Sequence, residues 1–155
     1  MTDRPSMIGR AADLAQDVGE GDLRANAAAL GKALGLVRLG VNHETLPAGC
    51  RSSFPHAHSH SEEFIFIVKG RPDLWIDGDL HRLRPGDAAA FPAGTGIAHS
   101  LINNSDDDVT FLVVGENDPS DTVTYPVNPE IKPRRPWKNA PRRPLGDHDG
   151  KPNTA

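Results

Sequence analysis

The stretch Gly49–Gly70, GCRSSFPHAHSHSEEFIFIVKG, decides how the rest of this 155-residue chain is read. It sets His56, His58, His60, Glu62 and Glu63 directly ahead of the apolar run Phe64–Val68. Side chains on a strand alternate between faces, so residues two apart share a side. His56 and His58 therefore point the same way, as an HxH pair must to reach one metal ion. Imidazole nitrogens beside a carboxylate suit a borderline divalent cation. Taken alone, the pair could equally be a solvated, histidine-rich loop, and the surrounding sequence has to decide.

Composition narrows the field. The length fits a single domain with one core. An apolar fraction of 37% with 14 Pro and 15 Gly suggests a compact core carrying irregular arms. A net charge of −4 offers no basic field for nucleic acid or an anionic membrane surface. Cys50 is the only cysteine, which excludes an intrachain disulfide and a cysteine-based zinc site. The opening residues MTDRPSMIGRAADLAQ lack the apolar run of a signal peptide, and no segment approaches spanning length. A cytoplasmic protein is the expectation.

Three segments are expected. Residues 1–35 form an N-terminal arm, in which Asp22 is placed to cap a short helix running through Leu34 and stopping at Gly35. Residues 36–116 carry the strands. Val37, Leu39, Val41, His43 and Thr45 alternate on one face of a half-buried strand. His43 is there either a hydrogen-bonded core residue or a pocket lining. The run from Glu63 to Val68 is apolar on both faces, as in a strand buried inside and covered outside. Asp77-Gly78 marks a tight hairpin. Short strands about ten residues apart, separated by Gly/Pro/Asp turns, indicate a sandwich or barrel. Residues 117–155 form a Pro- and Arg-rich extended arm without a period. Tyr125 and Trp137 are costly to leave in water, so this arm is expected to pack on the barrel or on a second subunit.

A second block follows the first: Gly86, Phe91-Pro92-Ala93-Gly94, His99 and Asn103. In that order the two blocks resemble the paired motifs of the cupin superfamily. Gly49, His56, His58, Glu63 and Gly70 fit the first motif, with one extra residue between Gly49 and His56. Gly86, Pro92, Gly94, His99 and Asn103 fit the second, with Thr95–Ala98 lengthening the loop before His99. The resemblance implies an all-β jelly-roll barrel that binds one divalent transition metal (Fe, Mn, Ni, Co or Zn) through His56, His58, Glu63 and His99. It leaves open coordination positions, where a metal can hold water, dioxygen or a chelating substrate. The implied activity is that of a dioxygenase, isomerase or lyase on a small carboxylate, hydroxyl or sugar-like metabolite. The alternative is a non-catalytic binding module, because fold does not fix function. His60 and His43 are candidate acid–base groups and Arg51 a candidate carboxylate anchor, while Glu62 has the wrong parity to join Glu63. By resemblance a homodimer is expected, with no nucleic-acid or membrane partner.

Overall fold

The structure, a computed structural model, describes residues 3–153. Its largest element is a six-stranded antiparallel sheet, in the order β1 (Gln16–Val18), β2 (Ala25–Ala29), β3 (Leu39–Leu46), β10 (Val109–Glu116), β5 (Glu63–Lys69), β8 (Ala88–Phe91). A three-stranded sheet, β7 (Asp79–Arg82), β6 (Asp73–Ile76), β9 (His99–Ile102), faces it. The short pair β4 (Ala57–His58) and β11 (Val123–Thr124) continues that second layer through single bridges Arg51↔Ile102 and His56↔His99. Two antiparallel layers closing on one core make the all-β jelly-roll barrel expected from the sequence.

The core fills the space between the layers. Leu46, Ile65, Ile67, Leu74, Leu101, Val109 and Phe111 are buried there. The second cluster, Ala57, Trp75, Ala98 and Ile102, lies on the other face of the smaller sheet, and Val127 and Trp137 of the C-terminal arm cover it. The Trp75 indole donates to the His148 carbonyl at 2.8 Å, and Arg51 Nη1 donates to the Gly150 carbonyl at 2.9 Å. The arm is therefore a strap on its own barrel, which gives Trp137 the apolar contact its sequence demanded.

Elements before residue 36 differ from the expected helix. Between Asp22 and Leu34 the chain makes a 3-10 turn (Gly21–Leu23), then β2, then a single helical turn α2 (Leu30–Ala33). A shorter turn, α1 (Ala11–Leu14), precedes them. β2 pairs with β3 from Asn26↔Thr45 to Ala29↔Asn42. Sheet pairing overrides the helical preference of an alanine-rich segment, since propensity is a weak prior against tertiary contacts.

The hairpin at Asp77-Gly78 forms as expected, with φ of 47° and 97° at its two residues. Gly78 is needed twice over: a Cβ there would lie 2.3 Å from the Gly146 nitrogen of the strap. The outer face of β5, expected to be covered, is open in the single chain. Phe64, Phe66 and Val68 are 40%, 37% and 45% exposed. Among the described residues no helix is long and apolar enough to cross a membrane.

Candidate metal centre

Register along three central strands places the site. Inward residues of β3, β10 and β5 stack in rows: Leu46 with Val109, then Glu44, Phe111 and Ile67, then Asn42, Val113 and Ile65. The row at the mouth is Gly40, Gly115, Glu63 and, across β8, Phe91. Two glycines beside Glu63 leave that end without side chains on the β3–β10 side. A cavity of about 330 Å³ lies against this end of the sheet, lined by the outward-facing Leu39, Phe64, Ala90 and Val114 together with Glu63 and Gly115, and no histidine of the site lines it.

The histidines arrive from the opposite layer. His56 and His99 exchange backbone hydrogen bonds, His56 N to the His99 carbonyl at 3.2 Å and His99 N to the His56 carbonyl at 3.0 Å. This bridge physically joins the two sequence motifs. The Nε2 atoms of His56, His58 and His99 then lie 3.9, 3.4 and 3.0 Å from the Glu63 carboxylate. The donor atoms of His56, His58 and Glu63 all lie within 4.8 Å of one another, and His99 reaches this trio through Glu63 Oε1.

Hydrogen bonds at Nδ1 set the tautomers of two of these rings. His56 Nδ1 donates to the Phe54 carbonyl at 2.9 Å, and His58 Nδ1 donates to Asp121 Oδ2 at 2.6 Å. A carbonyl and an ionised carboxylate only accept, so the proton sits on Nδ1 and the Nε2 lone pair faces inward. His99 is stacked on Phe91 with ring centroids 3.6 Å apart. Its Nδ1 is buried without a partner, while its Nε2 faces the acceptor Glu63 Oε1 at 3.0 Å, so this third ring carries its proton on Nε2.

The electrostatics follow from this arrangement. Burial opposes charge on Glu63, but the facing imidazoles of His56, His58 and His99 override it and hold the carboxyl well below the usual carboxylate range. Burial pulls His58 down, yet Glu63 and Asp121 on either side of the ring raise it overall. His99 is pushed down, chiefly by burial. Burial likewise opposes charge on Asp121, but the amides of His60 and Ser61 and the His58 ring lower it to about 2. One firmly ionised carboxylate among imidazoles, two of them with inward lone pairs, is a donor set that fits a borderline divalent cation.

The other candidates fall elsewhere. His43 pairs with Leu112, and Leu112 with Phe66, so it stands on the outer face, away from the mouth. The alternation of Val37, Leu39 and Val41 suggested that this face was internal, whereas the inward residues of β3 are Asn42, Glu44 and Leu46. Arg51 is buried against Asp22 (3.1 Å) and stacked over Phe54 (4.6 Å), tying the barrel to its arms instead of offering an anchor to a ligand. His60 is exposed, with Nδ1 2.7 Å from Ser59 Oγ. Asn103 is buried and structural: its amide donates to the carbonyls of Leu46 and Asp107.

The lengthened loop Thr95–Ala98 leaves His99 facing Glu63. Ala98 N donates to Asp77 Oδ1 at 2.9 Å, and Gly96 fits where a Cβ would come within 3.1 Å of the Pro141 carbonyl. The strap thus seats the extra residues.

Two polar groups of the site escaped the sequence reading. Glu44 points into the barrel, and burial together with the charge of Glu63 raises its carboxyl. Its parity with Leu46 on β3 was the available signal. Asp121, 63 residues beyond His58, lies in the aperiodic arm, where no sequence period marks it.

The sequence family described as the cupin domain matches residues 42–115. Among solved structures, a sugar phosphate isomerase from a cupin superfamily, from Silicibacter pomeroyi, is 36% identical with a TM-score of 0.67, covering 74% of this chain and 78% of that one. Two more distant structures show the fold alone. The polyketide cyclase RemF from Streptomyces resistomycificus is 21% identical with a TM-score of 0.64, covering 89% of this chain and 92% of that one. A predicted oxalate decarboxylase from Thermotoga maritima is 21% identical with a TM-score of 0.60, covering 71% of this chain and 98% of that one. No curated protein matches. With its two motifs joined at the His56–His99 bridge, this chain belongs to the cupin superfamily.

Proposed function

We propose that this protein is a metal-dependent isomerase of a small polyhydroxylated carbonyl metabolite, with a sugar phosphate as the substrate class. The observation that carries the reading is the convergence of His56, His58 and His99 Nε2 on Glu63 at one end of the barrel. The 36% identity to a sugar phosphate isomerase supports the choice among cupin chemistries. His56, His58, Glu63 and His99 would hold one divalent transition ion (Fe, Mn, Ni, Co or Zn). When bound, such an ion supplies Lewis acidity toward a carbonyl and a neighbouring hydroxyl.

The chain's own residues supply the rest. Glu44 points into the barrel in the row of Phe111 and Ile67, and its carboxyl, raised by burial and by Glu63, is the group assigned to hold and return a proton. Phe91, stacked on His99, makes the inner wall apolar and limits water at the site. Gly40 and Gly115 keep the β3–β10 side of the mouth clear for substrate. The exposed apolar face around Phe64, Phe66 and Val68 is consistent with a homodimer, whose test is the mass in solution.

A non-catalytic binding module is the second reading. It is favoured by the placement of His43 and Arg51 away from the mouth. The test is exchange in deuterated water: metal-loaded protein is incubated with a panel of aldose and ketose phosphates and followed by NMR. An isomerase washes deuterium into the carbon next to the carbonyl of one of them. Tight binding of the panel without exchange or product supports the module instead.

A further inference from the structure

We propose that Asp121 is a positioning residue of the metal centre: a carboxylate from the C-terminal arm that fixes His58 as an Nε2 ligand. The inference rests on the metal site described above and concerns a residue beyond the 42–115 cupin-domain match.

The two carboxylate oxygens of Asp121 have divided roles. Oδ1 accepts from the backbone amides of His60 at 2.9 Å and Ser61 at 3.1 Å. Oδ2 accepts from His58 Nδ1 at 2.6 Å. One residue thus holds the ligand ring and the backbone of the loop that leads from His58 to Glu63. The arm is anchored around it: Val123 pairs with His58 and Thr124 with Ala57, Ser59 N donates to the Thr122 carbonyl at 2.9 Å, and Thr122 N donates to Ser59 Oγ at 2.8 Å. Holding the second ring nitrogen of a ligand histidine fixes both its tautomer and its orientation, and losing such a partner typically costs about 10- to 100-fold in metal affinity.

The divided roles make an unusual prediction about substitution. In D121N the amide has one oxygen and one NH2. Two backbone N–H donors face one end of the side chain, so the oxygen turns to them and the NH2 faces His58 Nδ1. That ring nitrogen must then accept, which moves the imidazole proton to Nε2, the atom needed for the metal. In D121A the ring is merely released, and either tautomer remains available. The near-isosteric Asn therefore damages the centre more than Ala does, although Asn preserves packing better.

The experiment is a competition titration with Co(II), with the visible Co(II) spectrum as a second readout and thermal melting of the metal-free proteins as the control for folding. Wild type is expected to bind one Co(II), D121A about 10-fold more weakly and D121N about 100-fold more weakly. The D121N spectrum should also be altered. The proposal is overturned if D121N binds as tightly as wild type, or if affinity follows the order of thermal stability with D121N better than D121A. Failure of the underlying site reads differently: wild type itself would then bind no Co(II), or H58A would bind it with undiminished affinity.

Discussion

The two ends of this barrel are built on the same strands and do opposite things. Toward one end, β3, β10 and β5 present Leu46, Val109, Phe111 and Ile67, all fully buried. Toward the other, the same strands present Gly40, Gly115 and Glu63. The closed end contributes apolar burial, at roughly 25 cal/mol per Å² removed from water. The mouth gathers polar groups that gain little from burial and are held by partners. Glu44 is the exception at the closed end, a carboxyl in the row of Phe111 and Ile67 that is raised by burial and by the charge of Glu63. The difference teaches that stability and chemistry are separated along each strand, not assigned to different strands.

That separation can be broken by substitution. Phe111→Ala at the closed end should cost about 3–5 kcal/mol in urea unfolding, the usual range for a buried aromatic truncation. The folded fraction of that variant should still bind one ion per chain. Glu63→Gln at the mouth should reverse the pattern. Metal affinity should drop by more than the roughly 100-fold that loss of an outer partner brings, with a smaller change in the unfolding midpoint of the metal-free protein. Equal losses of stability from the two variants would dissolve the distinction between the ends.

Acid–base behaviour sharpens it further. A carboxyl raised in the fold binds its proton more tightly there than when unfolded, so ionised Glu44 opposes folding at high pH and the opposition fades as pH falls. Glu44→Gln should therefore make the metal-free protein more stable than wild type at pH 8, with the gap narrowing toward acid. Asp73 behaves in the opposite sense. Burial opposes its charge, but Arg82 and Asn104 override this and hold it below its ordinary value of 3.8. Its contribution is full above that value and disappears as pH falls through the lower folded one. Asp73→Asn should flatten the acid side of the stability profile, measured by thermal melting between about pH 5 and pH 2. This is the smallest of the effects, because Arg82 is largely exposed and its pairing is screened by solvent.

Much of the closed architecture was legible in the sequence. The extent of β5, the Asp77-Gly78 hairpin and turns at regular intervals report local physics, and each formed where expected, although the outer face of β5 is open and not covered. The convergence of His56, His58 and His99 on Glu63 was also legible, since the spacing of the two motifs implies it. What the sequence hid was set by register between distant strands. The apolar residues Leu39 and Val41 suggested that their face of β3 was internal, but pairing Glu44 with Phe111 turned it outward and took His43 with it. Ala25–Ala29 has the composition of a helix and became a strand because β3 offered an open edge. Asp121 hid for a different reason: an aperiodic arm gives no parity to read, and its contacts to His58, His60 and Ser61 are all long-range.

The central claim is that His56, His58, Glu63 and His99 hold a divalent ion in the barrel mouth. It is tested most directly by the metal content of wild type and of the double variant His58→Ala/His99→Ala, each purified in the folded state and loaded identically. One ion per chain in wild type and none in the double variant is the predicted result. A double variant that keeps full metal stoichiometry would contradict it.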